Sequence, residues 1–452
     1  MGAIRRIARS GVPAVAILLA VQAASGATAK GGLSFENTPL LRPDGTSEPE
    51  IRVRSDGTMG IVGLSWQQFF THLWSGPFGS TPTFRGEVDS ALQLPGPREV
   101  FGGGDADVDL ASTGALHATT LIFITPPTLK HFQLGVSAIT CPQPTASGFA
   151  VPADCTSDII DTAGADRSWI TSDWPVVYIS YHDAGNSTLI HVQRSEDDGL
   201  TWRNVGDPVV GQGETTGDAT FNNTQGPIIA DPSTHNVYDV YAVGQAGIQK
   251  ATSASFNNIV VSRSTDGGLS WTASLVFHAP LFTALNHVFP ALAVDSGTGK
   301  VYVAWSDAHT VSFASSSDQG ATWSPAVAVN VSPANTAVFP WLAARNGTVD
   351  LVYYATSASS KDDPSAVWNV YLAQTTDGQT FTQSLVSNTP NHVGIVCTNG
   401  IGCQPGTRNL LDLFQVAIDP LNGKAAVVYT DDTITTDSSG KPLPQMVLAQ
   451  QQ

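Results

Sequence analysis

Three aspartates alternate along Phe101-Gly-Gly-Gly-Asp-Ala-Asp-Val-Asp109, and this spacing could carry chemistry. Because residues two apart in a strand point to one side, Asp105, Asp107 and Asp109 would share a face. Carboxylates so close together repel unless a cation, an arginine or solvent intervenes. One interpretation is a Ca²⁺ site, since hard carboxylate oxygens suit this ion. Two others stay open: Asp105 is a general acid on a flexible glycine lead-in, or the three bind strand-end amides or face water.

A recurring octapeptide predicts the elements that position such residues. Its copies are Ser195-Glu-Asp-Asp-Gly-Leu-Thr-Trp202, Ser264-Thr-Asp-Gly-Gly-Leu-Ser-Trp271, Ser316-Ser-Asp-Gln-Gly-Ala-Thr-Trp323 and the shortened Thr375-Thr-Asp-Gly-Gln-Thr-Phe381. The aspartates recur after 69, 52 and 59 residues, a spacing typical of repeat architectures, at Asp197, Asp266, Asp318 and Asp377. Asp can accept hydrogen bonds from the backbone of its own turn. Gly adopts a backbone angle that other residues reach only with strain, and the aromatic residue anchors the turn to its blade. Each copy lies between β-rich runs, which predicts a strand-to-strand turn.

The octapeptide resembles the Asp-box, or BNR repeat, of the sialidase-like β-propellers. The resemblance implies an all-β propeller of four-stranded blades, with each Asp-box a structural turn on the rim, away from the active site. Seven apolar strand starts follow one another, so seven blades are favoured over six, the number usual for true sialidases. We expect residues 30–452 to form this single domain. Gly32-Leu-Ser-Phe35 could supply the fourth strand of the last blade and so close the ring.

The resemblance also implies a catalytic set. A sialidase needs three arginines to bind a carboxylate, a tyrosine nucleophile activated by a glutamate, and an aspartate as acid/base. Arg167 and Arg408 are the best-placed cations, at inner-strand starts, and Arg52 is the third; the first two could instead be structural, paired with Asp166 and Asp412. The other candidates are Asp105 as acid/base, Tyr354 as nucleophile, Glu214 as its partner and Trp169 as a substrate contact.

Tyr354 and the first arginine each have a feature that affects their assignment. Tyr354 ends the second strand of its blade, and a tyrosine there could equally be a core residue. The family opens its first blade with Arg-Ile-Pro, whereas this chain reads Glu48-Pro-Glu-Ile51, with Arg52 one residue beyond. The first arginine of the family is therefore displaced here.

Residues 1–29 are interpreted as a secretory signal peptide. Arg5, Arg6 and Arg9 precede a short apolar core, and Ala27-Thr-Ala29 is the expected cleavage site. Cleavage removes three of the 21 basic residues and none of the 38 acidic ones, so the formal net charge moves from −17 to −20. Such a surface repels nucleic acid and anionic membranes. We expect a monomeric exported protein, extracellular or periplasmic, with no membrane span and an extracellular glycan as partner.

The four cysteines form two local pairs, Cys141 with Cys155 and Cys397 with Cys403. Three connectivities are possible, and the local one is the simplest for an exported chain. The inserts that carry them, Thr140 to Ala165 and Val386 to Thr407, are both expected just before inner strands, and therefore on one face of the ring.

Three functions remain open at this point. The first is a sialidase-like exo-glycoside hydrolase acting on an acidic terminal sugar, with no required cofactor but with Ca²⁺ as an option. The second is a non-catalytic propeller that binds carbohydrate or protein through aromatics at the mouth, such as Trp169 and Trp341. The third is a polysaccharide lyase, which would need a Tyr/His pair beside an arginine. A fold alone does not decide between them.

Overall fold

The structure, a computed structural model, describes residues 32–94, 98–125, 133–142, 155–184, 189–209, 223–244, 256–285 and 287–452. The proposed signal peptide and Glu214 lie outside these residues. Residues 33–452 form one compact unit. Within the described residues it is built from β-strands, with one short 3-10 helix at Gly400–Gly402. No described helix has the length and apolar character that crossing a membrane requires.

Seven antiparallel sheets form the blades, each with four strands from its inner to its outer edge, and the strands are numbered in chain order. The inner strands are β2 (Thr46–Val53), β7 (Ala106–Leu110), β11 (Ala165–Asp173), β15 (Asn223–Ala230), β19 (Ala291–Asp295), β23 (Thr336–Arg345) and β28 (Gln415–Ile418). The second strands are β3 (Thr58–Ser65), β8 (Leu116–Ile124), β12 (Val176–Asp183), β16 (Val237–Val243), β20 (Lys300–Ser306), β24 (Thr348–Thr356) and β29 (Ala425–Thr436).

The two outer layers complete blades 1 to 7, in the order of their inner strands. The third strands are β4 (Thr71–Pro77), β9 (Gln133–Cys141), β13 (Ile190–Ser195), β17 (Asn258–Ser264), β21 (Val311–Ser316), β25 (Val367–Thr375) and β30 (Pro442–Gln451). The fourth strands are β5 (Thr83–Glu87), β10 (Thr156–Asp161), β14 (Arg203–Gly206), β18 (Thr272–His278), β22 (Val327–Ala328), β26 (Thr382–Leu385) and β1 (Phe35–Leu40). Two short strands, β6 (Val100–Phe101) and β27 (His392–Val393), add to β8 and β25.

The prediction of an all-β propeller with seven blades is confirmed. Each inner strand contacts the next around the ring, and β28 of blade 7 contacts β2 of blade 1. The ring closes because β1, from the start of the described chain, pairs with β30 from its end, over the register Phe35↔Gln451 to Leu40↔Met446. This pairing gives blade 7 its fourth strand and leaves its outer edge no more open than that of the other blades.

The recurring octapeptides join third to fourth strands, as the sequence predicts. In the second copy, Ser264 Oγ donates to Asp266 Oδ1 at 2.8 Å, and Ser270 donates to the same carboxylate through its N–H (2.9 Å) and hydroxyl (2.6 Å). Trp271 Nε1 donates to Gly268 O at 3.0 Å. The turn is therefore held by its own side chains, and its aspartate is occupied by the turn.

Both local disulfides are confirmed, Cys141–Cys155 and Cys397–Cys403. The expectation that their loops share one face is wrong. Residues 156–161 form the fourth strand β10, so the first loop joins third and fourth strands, on the octapeptide side, where Thr140 Oγ1 donates to Gly199 O. The second loop lies between β27 and β28, on the side where the inner strands begin. That side is called the entry face below.

Candidate functional site

Several inner strands carry a β-bulge just after they begin. The register shifts between Ser47 and Glu50 in β2, between Asp166 and Ser168 in β11, and between Val338 and Trp341 in β23. The bulged residues have left-handed backbone: φ is 49° at Glu48, 55° at Arg167 and 56° at Phe339. Such backbone is uncommon for residues other than glycine and clusters at functional sites, where a bulge re-aims a side chain. Two of these three residues are charged and belong to one cluster.

Glu48 is the buried centre of this cluster. Its side chain accepts the N–H of Asp412, from the segment before β28, at 2.9 Å. It is also hydrogen-bonded to the side chain of Asp105, from the segment before β7. Burial, followed by the negative charges of Asp105 and Asp412, raises the pKa of Glu48 well above its usual range. Glu48 therefore joins the starts of blades 7, 1 and 2, in surroundings that favour its protonated form.

Asp105 is partly exposed and is the member of this pair that a ligand can reach. Burial, and then the charges of Asp166 and Asp412, raise its pKa to about 6, while the hydrogen bond from Glu48 and the charge of Arg167 oppose the rise. A carboxyl that titrates at this pH is suited to proton transfer near neutrality.

The glycines before Asp105 are required by packing. Gly103 has φ 73°, and a Cβ there would meet Phe70 N at 2.5 Å. A Cβ on Gly104 would meet the Leu121 side chain at 2.7 Å. The buried carboxylate of Asp89 accepts N–H groups from Gly103 at 2.9 Å and from Thr71 at 2.9 Å. The glycine lead-in is thus fixed against blade 1, so Asp105 is held in place and is not on a loose segment.

Two arginines face the carboxyl pair. Arg408 makes a two-point ion pair with Asp412, through Nε and Nη2, and its side chain is 28% exposed. Arg167 Nε lies 3.6 Å from Asp166 Oδ2, and its guanidinium carbon lies 5.1 Å from the centre of the Phe289 ring. The ion pairs considered from the sequence are therefore present, and both arginines are also at the entry face.

Aromatic rings fill the centre of the ring below the cluster. Trp169 of blade 3 stacks on Trp341 of blade 6 at 5.2 Å and meets Phe289 of blade 5 edge-on at 5.8 Å. Since blades 3 and 6 are not neighbours, this contact crosses the channel. Trp169 is 1% exposed and Trp341 is 6% exposed. The two rings therefore form a buried floor. The binding hypothesis required them to line the mouth, and they do not.

Asp107 and Asp109 connect blade 2 to blade 3. Asp107 Oδ2 accepts the N–H of Ile170 at 3.0 Å, and Asp109 Oδ2 accepts both the N–H and the hydroxyl of Ser172. Neighbouring inner strands share no backbone ladder, so these carboxylates satisfy amides that would otherwise be unpaired. Within the part of the chain that the structure describes, no group of three or more His, Cys, Asp or Glu residues could hold a metal ion.

Arg52 lies farther along the channel than the cluster. Its Nη2 is 3.3 Å from Asp107 Oδ1, and its Nη1 donates to Gln415 Oε1. The channel there is lined by the later parts of the inner strands, including Val294 and Val416. The three arginines chosen from the sequence are therefore split, with Arg167 and Arg408 together at the entry face and Arg52 apart.

Tyr354 is fully buried and does not reach the mouth. Its ring packs on Phe414 at 4.1 Å, and its hydroxyl accepts the N–H of Thr430 at 2.9 Å. Burial raises its pKa, which disfavours the phenolate that a nucleophile needs. Its suggested partner Glu214 lies outside the described residues.

Sequence reasoning did not select Glu48 as a site residue. A usable signal is present, because Glu48 precedes a proline at an inner-strand start. The same arrangement recurs at Gly226-Pro227, Phe289-Pro290 and Phe339-Pro340. A charged residue at this repeated bulge position marks the mouth of the ring.

The site combines four carboxyl groups and two guanidiniums at the starts of blades 1, 2, 3 and 7. They are Glu48, Asp105, Asp166, Asp412, Arg167 and Arg408. A carboxyl group that holds a proton can donate it to one atom, and a nearby carboxylate can stabilise positive charge at another. These are the groups that acid/base cleavage of an uncharged, polar bond requires.

No protein family matches the sequence, and no curated protein resembles it in sequence. Solved structures with a similar fold include an α-L-arabinofuranosidase from Fusarium graminearum, with 12% identity, 93% of this chain and 97% of that chain covered, and a TM-score of 0.44. A Penicillium chrysogenum α-L-arabinanase has 11% identity, 92% and 97% coverage, and a TM-score of 0.41. A Trypanosoma rangeli sialidase has 14% identity, 94% and 57% coverage, and a TM-score of 0.43. At these identities the function of the chain has to be inferred from its own residues.

Proposed function

We propose that this chain is a secreted glycoside hydrolase in which Asp105 is the general acid and Asp166 the second carboxylate. The observation that supports this most directly is the hydrogen-bonded pair of Glu48 and Asp105 at the open end of the ring. Glycoside hydrolysis needs a protonated carboxyl on the leaving oxygen and a carboxylate near the anomeric carbon. Two disulfides agree with an extracellular or periplasmic location.

The proposed reaction is a hydrolysis. Asp105 protonates the glycosidic oxygen as its bond to the anomeric carbon breaks. Asp166 stabilises the positive charge that develops on the sugar ring, and a water molecule supplies the new C–O bond. The proton lost by that water restores the acid. Arg167 and Arg408 donate hydrogen bonds to sugar hydroxyls while they balance part of the negative charge of the cluster.

The engagement of the arginines favours a neutral sugar over the acidic one that the resemblance implies. Four carboxyl groups surround two guanidiniums, and one of these, Arg408, is already engaged at two points by Asp412. Arg52, the third arginine of the expected set, is occupied by Asp107 and Gln415. A sugar carboxylate would therefore lack the three free arginines that bind it in the expected set.

The test is release of fluorophore from aryl glycosides by residues 30–452. The panel contains neutral substrates, such as aryl arabinofuranosides and galactosides, and an aryl sialoside. The variants are Asp105→Asn, Asp166→Asn and, as the matched control, Glu196→Gln, an exposed carboxylate on the octapeptide side. We expect turnover of a neutral glycoside, with a loss of roughly 100-fold or more in the first two variants and none in the control.

The outcomes separate the alternatives. Turnover of the sialoside alone, lost in Arg167→Ala with Arg408→Ala, would reinstate the acidic sugar. Turnover that survives Asp105→Asn would remove this residue from the mechanism. Folded protein with no turnover on any aryl glycoside or soluble polysaccharide would refute the hydrolase.

A further inference from the structure

Three phenylalanines form a small aromatic group on the entry face, outside the acidic cluster. The ring centres of Phe69 and Phe101 are 5.9 Å apart, and those of Phe69 and Phe123 are 5.7 Å apart. Phe69 is 53% exposed, although a residue of this kind is usually buried. The group combines the β3–β4 hairpin of blade 1 with β6 and β8 of blade 2. We call it the Phe69 platform.

The Phe69 platform and Asp105 are parts of one rigid unit. Phe101 and Asp105 are separated only by Gly102-Gly103-Gly104. A Cβ on Gly103 would meet Phe69 C at 2.8 Å, so the hairpin that carries Phe69 lies directly on this lead-in. A Cβ on Gly102 would meet the Asp89 carboxylate at 1.8 Å. Asp89 is 3% exposed and accepts N–H groups from both segments.

This construction indicates a ligand-binding role. Burying a carboxylate costs free energy, which the N–H groups that it accepts offset. Here Asp89 holds an exposed aromatic ring at a set position relative to the proposed acid. Exposed aromatic surface beside a polar site is typical of binding surfaces. The C–H face of a sugar ring is apolar and flat enough to lie on an aromatic side chain, while its hydroxyls stay in water.

We infer that the Phe69 platform binds a neutral sugar ring of a glycan chain, next to the sugar whose bond is cleaved at Asp105. The inference rests on the proposed function for the position of the cleaved bond. The occupant is a neutral sugar because the three platform side chains carry no charge, so none of them pairs with a charged group on the ligand. The platform makes this site selective for chains over single-sugar substrates.

The test compares chain lengths. The probes are the aryl glycoside turned over by the enzyme and oligosaccharides of two to six units of the same sugar. In Phe69→Ala, we expect the ratio of kcat/KM for the longest oligosaccharide to that for the aryl glycoside to fall about tenfold, the scale of one lost aromatic contact. Phe69→Trp should restore the ratio. Leu200→Ala, an exposed apolar residue on the octapeptide side, is the control.

A second measurement separates this inference from the proposed function. Native affinity electrophoresis of wild type, Phe69→Ala and Phe69→Trp in gels containing soluble neutral polysaccharides reports binding without catalysis. Retardation that depends on Phe69, with no hydrolysis, would keep the platform and refute the hydrolase. Hydrolysis that depends on Asp105, with a chain-length ratio unchanged in Phe69→Ala, would refute the platform alone.

The competing occupant is a second copy of the chain. Light scattering over a range of concentrations tests it in the same variants. Self-association that is lost in Phe69→Ala, without any change in glycan binding, would overturn the inference. Folding is checked by the thermal transition. Phe69→Leu, which keeps an apolar side chain but lacks the aromatic ring, replaces the alanine variant if that variant does not fold.

Discussion

The side chains of Glu48 and Asp105 are hydrogen-bonded to each other across the boundary between blades 1 and 2. Neither residue follows the apolar pattern of an inner strand, and both precede or interrupt the ladder where the strand begins. The pair therefore places two carboxyl groups at the entry face of the ring.

Replacing Glu48 tests the direction of this hydrogen bond. A donated hydrogen bond favours the ionised form of Asp105 and lowers its pKa. Glu48→Leu removes the donor, so the pKa of Asp105 should rise above its value of about 6. Glu48→Gln keeps a hydrogen-bond donor and should leave the pKa of Asp105 close to its value in the wild type. Carboxyl ¹³C NMR titration measures both, and a lower pKa in Glu48→Leu would contradict the assignment.

The charges beside Asp105 should shift its titration in opposite directions. Asp166 raises the pKa of Asp105 and Arg167 lowers it. Asp166→Asn should therefore move the titration to lower pH, and Arg167→Gln should move it to higher pH. If Asp105 is the acid, activity falls as pH rises through about 6, and in Arg167→Gln this fall occurs at higher pH. A shift of the same sign in both variants would exclude a direct electrostatic effect.

Asp350 should make the fold less stable as pH rises. It is fully buried in β24, and burial raises its pKa from 3.8 to about 6. The native state then binds more protons than the unfolded state, so the contribution of Asp350 to the free energy of unfolding is greatest below about pH 4, falls up to about pH 6 and then levels off. Asp350→Asn does not titrate and should gain, relative to wild type, up to about 3 kcal/mol between pH 4 and pH 7.

Denaturant unfolding of Asp350→Asn and wild type at several pH values measures that difference. Glu36→Gln, an exposed carboxylate on β1, is the control. A constant difference between the two proteins across this range would mean that Asp350 does not titrate within it.

Chelation tests the Ca²⁺ interpretation of the alternating aspartates. Asp107 and Asp109 already accept N–H groups from blade 3, so EDTA and added Ca²⁺ should leave the thermal transition unchanged. Asp109→Ala should lower the free energy of unfolding by about 1–3 kcal/mol, because the amide and hydroxyl of Ser172 lose their acceptor. A rise in Tm with Ca²⁺ that disappears in Asp107→Asn would establish the cation site.

Much of this fold could be predicted because its signals are local. Each octapeptide contains the hydrogen-bond donors, the acceptor and the aromatic anchor of its own turn, so these few residues are enough to predict the turn. The cysteine pairs are close enough in sequence for local bridges to form. The closing strand was predictable because a ring of sheets with one strand missing needs a partner for its edge.

The sequence by itself determined the repeated blade and its turns, because these depend on short-range patterns of apolar residues, glycine and aspartate. It also determined the closure of the ring, because the last blade lacks a strand that the start of the chain supplies. Tertiary structure alone decided which charges meet. Glu48, Asp105 and Asp412 are far apart in the chain and converge only because inner strands of blades 1, 2 and 7 adjoin. Their pKa values depend on burial and on neighbouring charge, and a bulge with left-handed backbone turns Glu48 toward its partners. None of these quantities is encoded in any single segment.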